Sequence, residues 1–396
     1  MSERAPGVLF ILNALAIGGA ERQVVTLVNH LDTRRFRLHL AYLKRSEALL
    51  PQIDANRLDG LFCCDVTSKL SVSAVRRLRR FVAARDIELI VATNLYPTLY
   101  GALVRATSAR PVALASVFHT TLMPSAKQRF AMSFYRRVIA RCDRLLYVCE
   151  NQRRFWQSRG LRARSDAVVH NGIDTEYFCD VFDADAKRAI RARFGFTAKD
   201  YVVGLCAALR PEKAHGDLLH AIAALRERGV PAKGLLIGDG PERAGIERAV
   251  VSLGLADHVR ITGFQSDVRP FIAACNVMSL VSHAIETFSL AALESMACGK
   301  PLAMSDLGGA DEQITHGRHG FLYPPGDIPA LTECLASLAS EERRATMGAA
   351  AAARVRRAFT LDRMIAGFED HFEALVRGGH PAPATMVPPR EISPPG

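Results

Sequence analysis

The 396-residue sequence contains no C-x-x-C pair. Its nine cysteines, at 63, 64, 142, 149, 179, 206, 275, 298 and 334, are scattered and lie mostly inside apolar runs. Neither a zinc site nor a disulfide framework is expected from that spacing, and the odd number fits reduced thiols of a cytosolic compartment. Also missing is any run of roughly 18 continuous apolar residues, the length a membrane-spanning helix requires, which leaves a soluble or peripheral protein. The opening VLFILNALAIGGA imitates a signal peptide, but Asn13 interrupts it and a Gly-Gly with a helical pattern follows, so no cleaved leader is expected. There is no internal repeat, no coiled-coil heptad and no recognised nucleic-acid-binding module. The stretch GDGPE (238–242) starts like a dinucleotide fingerprint, yet Arg243 stands where a further glycine would be needed, so a nicotinamide cofactor is not indicated.

What is present is ordinary for a globular chain: 49% hydrophobic and 23% charged residues. The length predicts two domains, each able to bury its own core. The net charge of +11 is unevenly placed, with +14 carried by residues 1–174 and −3 by the remainder. A basic half beside a near-neutral half points to an anionic partner for the first domain, whether a membrane surface, an anionic small molecule or a nucleic acid.

Short apolar runs alternate with amphipathic stretches, the βαβα pattern of doubly wound α/β sheets. VLFIL (8–12), LHLAYL (38–43), LIVAT (89–93), VALAS (112–116), LLYVC (145–149) and AVVH (167–170) read as strands of a first domain. YVVGLCAAL (201–209), GLLIG (234–238), VRITG (259–263), VMSLVS (277–282), PLAMS (301–305) and FLYP (321–324) read as strands of a second. Runs that are continuous rather than alternating predict parallel strands buried on both faces. The polar segment 171–187 marks the boundary, with Asn171-Gly172 as hinge geometry. Apolar residues at 361, 364, 365, 368, 372, 375 and 376 form one helix face, capped by Thr360. The Pro-rich tail from Gly378 has no pattern and is expected to be disordered.

The most informative stretch is HAIETFSLAALESMACGKP (283–301). Thr287 and Ser289 are N-cap types and Gly299 and Pro301 are stop signals, so a helix over about 288–298 is predicted. Leu290, Leu293, Glu294 and Ala297 share one face, which points Glu294 into the apolar stripe. A buried carboxylate needs donors. Protein groups can supply them, and so can the two vicinal hydroxyls of a ribose. Glu286 precedes the helix at a strand's carboxyl end, where open α/β sheets bind ligands. The N–H groups of Phe288 to Leu290 would favour a phosphate in the same crevice.

The motif S-x3-E-T-F-S-L-x3-E-S-M-A-C-G-x-P resembles that of the retaining glycosyltransferases of family 4, and the resemblance extends over about residues 8–377. It implies the GT-B fold: two facing Rossmann-like, doubly wound parallel-sheet domains with a C-terminal helix crossing back. The domains would be 7–174, binding the acceptor, and 175–357, binding a nucleotide sugar, with the helix at 358–377 and the tail at 378–396. By the same resemblance Glu286 would contact the donor sugar's hydroxyls and Glu294 the ribose. His119 would lie near the donor sugar. Gly18 and Gly19, a strand–Gly-Gly–helix turn able to approach an anion, would lie by the donor phosphates and the acceptor. Gly263 and Phe264 would line the base pocket, and Thr287, Phe288, Ser289 and Leu290 would complete the nucleotide-sugar site. SDLGGADEQI (305–314) would form a wall of it.

Arg210 and Lys213, in ALRPEKAH (208–215), form a cationic clamp suited to a diphosphate leaving group. The family pattern G-R-L-x-x-E-K-G, aligned on Glu212 and Lys213, puts Ala208 where the arginine belongs, so either Arg210 reaches in or the diphosphate is held less well. The D-x-D of Asp183-Ala184-Asp185 follows no strand, so no metal and no cofactor are expected beyond the donor itself. The basic runs at 76–85, 136–141 and 153–164, interleaved with Phe81, Val82, Phe155 and Trp156, suggest a first domain leaning on anionic lipid. The reading is therefore a retaining, metal-independent hexosyltransferase of the cytoplasm or its membrane face. It would use a UDP-sugar, or a GDP-sugar, and a glycan or lipid-linked acceptor in cell-surface polysaccharide or lipopolysaccharide synthesis. A non-catalytic scaffold of the same fold, or a GT-B nucleotide-sugar epimerase, is the alternative.

Overall fold

The computed structural model describes residues 4–68, 70–121, 126–284 and 286–378, with the backbone alone for 126–130. The tail expected to be disordered lies, beyond Gly378, outside the described residues. Two units divide the chain: one runs through Asn171 and takes the chain again from Arg363, the other spans Gly172–Asp362.

In the first unit the strands are β1 (Gly7–Leu12), β2 (Arg37–Tyr42), β3 (Leu58–Cys63), β4 (Ile87–Thr93), β5 (Ala113–Phe118), β6 (Arg144–Tyr147) and β7 (Asp166–Val168). They form one sheet in the order β3-β2-β1-β4-β5-β6-β7, all pairs parallel. The second unit has β8 (Tyr201–Cys206), β9 (Ala232–Ile237), β10 (Val259–Ile261), β11 (Val277–Leu280), β12 (Leu302–Ser305) and β13 (Gly320–Tyr323). Their order is β10-β9-β8-β11-β12-β13, again parallel throughout. Central runs such as Val8–Leu12 and Leu89–Ala92 are fully buried, as strands covered by helices on both faces must be. The strand order reverses between β1 and β4 in one unit and between β8 and β11 in the other, which places a ligand crevice at each of those carboxyl edges.

Strand β3 was not legible as a strand. It reads LDGLFC and its residues alternate between half-buried and exposed, because it is the sheet's edge and has a partner on one side only. The basic runs also differ from expectation. Val82 and Trp156 are buried in the first unit's core, with Phe81 and Phe155 packed against it, and the Trp156 indole donates to the Thr120 carbonyl at 2.6 Å. These side chains are core because the helix faces bearing them meet the sheet. Val82 and Trp156 are therefore not available for an apolar contact with lipid, and Phe81 and Phe155 keep only part of their surface outward. No helix among the described residues is long and apolar enough to cross a membrane.

The unit changes fall at 171/172 and 362/363 rather than 174/175 and 357/358. Within the second unit the two crossings lie side by side: Ile173 donates to the Phe359 carbonyl at 3.0 Å, and Leu361 to the Ile173 carbonyl at 2.8 Å. On the first unit's side the Gln23 amide donates to Asn171 Oδ1 at 2.6 Å. The last helix, Leu361–Val376, packs on the first unit. Phe372 meets the rings of Phe10 and Phe36, and the nearly buried Glu369 pairs with Arg35 and accepts from the Asp32 N–H at 2.8 Å.

Candidate functional site

At the second unit's switch point, three loops leaving β8, β9 and β11 are tied together. After β8 the chain makes one tight helical turn over Pro211–Lys213 and enters the helix His215–Glu227 through Ala214, whose φ of +49° is left-handed. Leu209 holds this loop to the one after β9, donating to the Asp239 carbonyl at 3.0 Å and accepting from the Glu242 N–H at 3.0 Å. His283, leaving β11, donates its N–H to the Glu212 carbonyl at 3.2 Å and sets its imidazole Nε2 at the Asp217 carboxylate.

That arrangement brings Lys213 Nζ to 2.6 Å from Glu286 Oε2, with side chains 22% and 13% exposed. Ser282 Oγ donates to the same oxygen at 3.1 Å. Glu286 Oε1 has no partner among the described residues, so the carboxylate retains an acceptor for a ligand hydroxyl. The loop behind it is held tightly. Gly308, at φ +64°, lies where a Cβ would strike the Glu286 carbonyl, and Gly309 donates to the Thr287 carbonyl at 2.7 Å.

The helix predicted at 288–298 runs Leu290–Ala297, capped by Ser289 Oγ accepting from the Ala292 N–H. Glu294 is 1% exposed among buried Leu293 and Ala297, as its position on the apolar face required. One expectation needs correction: the Ser289 N–H is not free for a phosphate. It donates to Gln313 Oε1 at 3.1 Å, and Gln313 Nε2 returns a bond to the Ser289 carbonyl at 2.8 Å. A two-sided amide clamp therefore fixes the turn that leads from Glu286 to Glu294. Thr287 and Phe288 are buried within that turn, and Leu290 is half-buried at the helix start.

Arg210 is exposed and has no side-chain partner among the described residues, so its guanidinium is available to an anion. Ala208 beside it is half-buried and carries no charge. Gly263, at φ +74°, bridges to Gly238 after β9, and the Phe264 ring that follows is 55% exposed. Asp183, by contrast, is used structurally: its Oδ1 accepts from the Ala186 N–H at 2.8 Å and caps the helix Ala184–Ala192.

Gly18, Gly19 and His119 belong to the first unit. Gly18 is the N-cap of the helix Gly19–His30; a Cβ on it would meet the Glu21 carboxylate, whereas one on Gly19 would meet nothing. The His119 N–H donates to Asn94 Oδ1 at 2.9 Å, and burial pushes its imidazole down to about 4, so the ring is neutral near pH 7. Asn94 itself, at φ +66° and ψ 179°, occupies a conformation reserved almost entirely for glycine, a form of strain that clusters at functional sites. It stands at the carboxyl end of β4, beside the first switch point. Sequence reading missed Asn94 and the particular roles of Gln313 and Ser282, although it had placed both stretches at the site: Ser282 as the serine of S-x3-E and Gln313 within the wall 305–314.

Two parallel, doubly wound units, with a carboxylate–lysine pair at the second unit's switch point, make up the GT-B architecture of nucleotide-sugar-dependent glycosyltransferases. The chain belongs to that class at the level of family: residues 17–177 match the model for Glycosyltransferase Family 4 and residues 186–354 that for Glycosyl transferases group 1. It is 29% identical over 289 residues, 69% of this chain and 73% of the relative, to a GDP-mannose-dependent alpha-(1-6)-phosphatidylinositol monomannoside mannosyltransferase of Mycolicibacterium smegmatis. It is 32% identical over 233 residues to a D-inositol 3-phosphate glycosyltransferase of Streptomyces scabiei. That match takes in 54% of this chain and only about half, 51%, of the relative. In structure it is similar to HepE of Anabaena in complex with UDP, with a TM-score of 0.82 and 22% identity over 93% of this chain and all of that one.

Proposed function

We propose that the protein is a retaining glycosyltransferase that moves a sugar from a nucleoside-diphosphate sugar, UDP-linked or GDP-linked, to a glycan or lipid-linked acceptor, in the synthesis of cell-surface polysaccharide or lipopolysaccharide. The observation that carries this reading is the Lys213–Glu286 pair at the crevice where the second sheet reverses its order.

In this reading the second unit binds the donor. Glu294 accepts the ribose hydroxyls, the exposed Phe264 stacks on the base and Glu286 Oε1 accepts a sugar hydroxyl. Lys213 and Arg210 stabilise the charge that grows on the departing diphosphate as the anomeric carbon becomes oxocarbenium-like, the form of catalysis in which fixed charges count most. The charge comes from side chains, so turnover needs no metal. The departing oxygen deprotonates the acceptor hydroxyl. The first unit binds the acceptor, with Gly18, Gly19 and neutral His119 at its carboxyl edge. The two curated relatives are named for inositol acceptors that bear a phosphate. The first half's net charge of +14 suits an anionic acceptor of that kind, at a membrane surface on the cytoplasmic side.

The test is calorimetric binding of UDP and GDP, without added metal, to wild type and Glu294→Ala, followed by donor turnover in the presence of EDTA. Selective saturable binding lost in the variant, with EDTA-resistant turnover that keeps the anomeric configuration, is expected. Binding without any turnover, including slow donor hydrolysis, would favour a non-catalytic role, the reading that Ala208 supports.

A further inference from the structure

The second unit has a cavity at the opposite end of its sheet from the Lys213–Glu286 crevice. It measures about 250 Å³ and lies where the chain enters β11 and β12, against the helix Ala184–Ala192. Four of its lining side chains are cations, Lys187, Arg188, Arg191 and Lys300, and none of its lining residues is acidic.

Lys300 is buried and Arg191 half-buried. Lys300 is 9% exposed, and its ammonium donates to the carbonyls of Ala273 at 3.0 Å and Cys275 at 2.7 Å. Arg191 donates to the Ala274 carbonyl at 2.8 Å and to Asn276 Oδ1 at 2.7 Å. Neutral oxygens thus make the hydrogen bonds of both charges; among the described residues neither forms a direct ion pair, and Asp200 and Asp180 act on Arg191 and Lys300 only from a distance. Burial accordingly pushes both groups below their usual ranges. Carbonyls at the end of the helix Arg269–Ala274 account for these two cations, as a cap would. They do not account for Lys187 and Arg188 reaching the same space. Those two pair outward, with Asp180 at 2.6 Å and with Asp185. Such exposed pairs hold with about 0–1 kcal/mol, so both side chains can turn to an anion at little cost.

We propose that this cavity is a binding site for a small phosphate-bearing anion, held by Arg188 and Lys187 at its mouth and by the charges of Lys300 and Arg191 at its floor. A doubly charged phosphoryl group supplies a counter-charge in direct contact, which neither Lys300 nor Arg191 has among the described residues, and guanidinium and ammonium donors match its oxygens. The site is independent of the donor crevice: the cavity lies at the strands' amino ends, the Lys213–Glu286 pair at their carboxyl ends.

The experiment is calorimetric titration of the full-length protein with inorganic phosphate, pyrophosphate and glycerol phosphate, with and without saturating UDP. Saturable binding that survives UDP and weakens by about tenfold or more in Arg188→Glu is expected, since one lost charge-assisted contact is worth that much. Arg188 is a surface residue, so this variant folds; Lys300→Met is the companion that removes the floor. Preference for pyrophosphate would identify a free inorganic anion as the ligand, and preference for glycerol phosphate a phosphate monoester. Absence of binding, displacement by UDP, or unchanged affinity in Arg188→Glu would overturn the proposal.

Discussion

Lys213 and Glu286, 73 residues apart in sequence, meet at 2.6 Å in a part-buried pair. The cation assigned to the donor's diphosphate is therefore already neutralised by the carboxylate assigned to the donor's sugar. An incoming diphosphate must share Lys213 with Glu286 or displace it. Glu286→Gln is accordingly expected to leave nucleoside-diphosphate affinity unchanged or tighter while turnover falls about 100-fold or more. Lys213→Met should lose both. Calorimetry on each variant beside initial rates separates the two roles; weaker nucleotide binding by Glu286→Gln would contradict this arrangement.

Glu294 is tested best by pairing a variant with an altered ligand. Glu294→Gln should weaken nucleotide binding by about 10- to 100-fold, the value of one or two bonds to a charged group. A 2′-deoxynucleotide should lose a similar factor against wild type and little further against the variant. Equal losses in both proteins would remove the ribose from Glu294.

Arg210 and Ala208 make a reciprocal pair. If the exposed Arg210 guanidinium serves in place of the arginine absent at 208, Arg210→Ala should cut turnover about 10- to 100-fold. Ala208→Arg in that background should restore much of it. Steady-state rates of the single and double variants decide the matter, and an Arg210→Ala enzyme of full activity would end the assignment.

Ala214 sits at φ +49°, a left-handed conformation that costs an alanine roughly 1 kcal/mol or more relative to glycine. Ala214→Gly is expected to stabilise the second unit by about 0.5–1 kcal/mol, visible as a Tm rise of about 1–4 °C. A fall in Tm would mean the alanine methyl makes a contact worth more than the strain.

Acid should destabilise the protein well above the carboxylate range. Burial holds His39, His215, His319 and His371 each down to about 4, against an ordinary 6.5. The unfolded chain therefore binds more protons than the folded one between those limits. Stability is full above pH 6.5 and declines as pH falls toward 4. Urea midpoints at pH 7.5, 6 and 5 should fall in that order; a flat profile would mean these rings protonate without unfolding.

Much of the fold was legible because parallel strands leave a strong trace. Continuous apolar runs such as VLFIL and LIVAT mark strands covered on both faces, and twelve of the strands fell on such runs. Strand β3 escaped because an edge strand with one partner keeps polar residues and a glycine. The site was legible where local periodicity carried it: Glu294 stood on an apolar helix face and proved 1% exposed. The clamp made by Gln313 was not legible beyond its place in the wall 305–314, since a buried amide reaching Ser289 from 24 residues away leaves no periodic mark. Nor was the inward side of Trp156, because an arginine-rich run looks the same whichever face its aromatics take.

By itself, then, the sequence determined the two doubly wound sheets and the places where chemistry would gather. Strand runs, caps and stop signals are local, and ligand crevices in such sheets lie at strand ends. Only the tertiary structure decided which charges meet. Lys213 reaches Glu286 because β8 and β11 are neighbours across the reversal of strand order. The cations around Lys300 converge because a helix from before β8 packs beside the chain entering β11 and β12. Both are consequences of strand order, and no short-range pattern encodes which strands lie side by side.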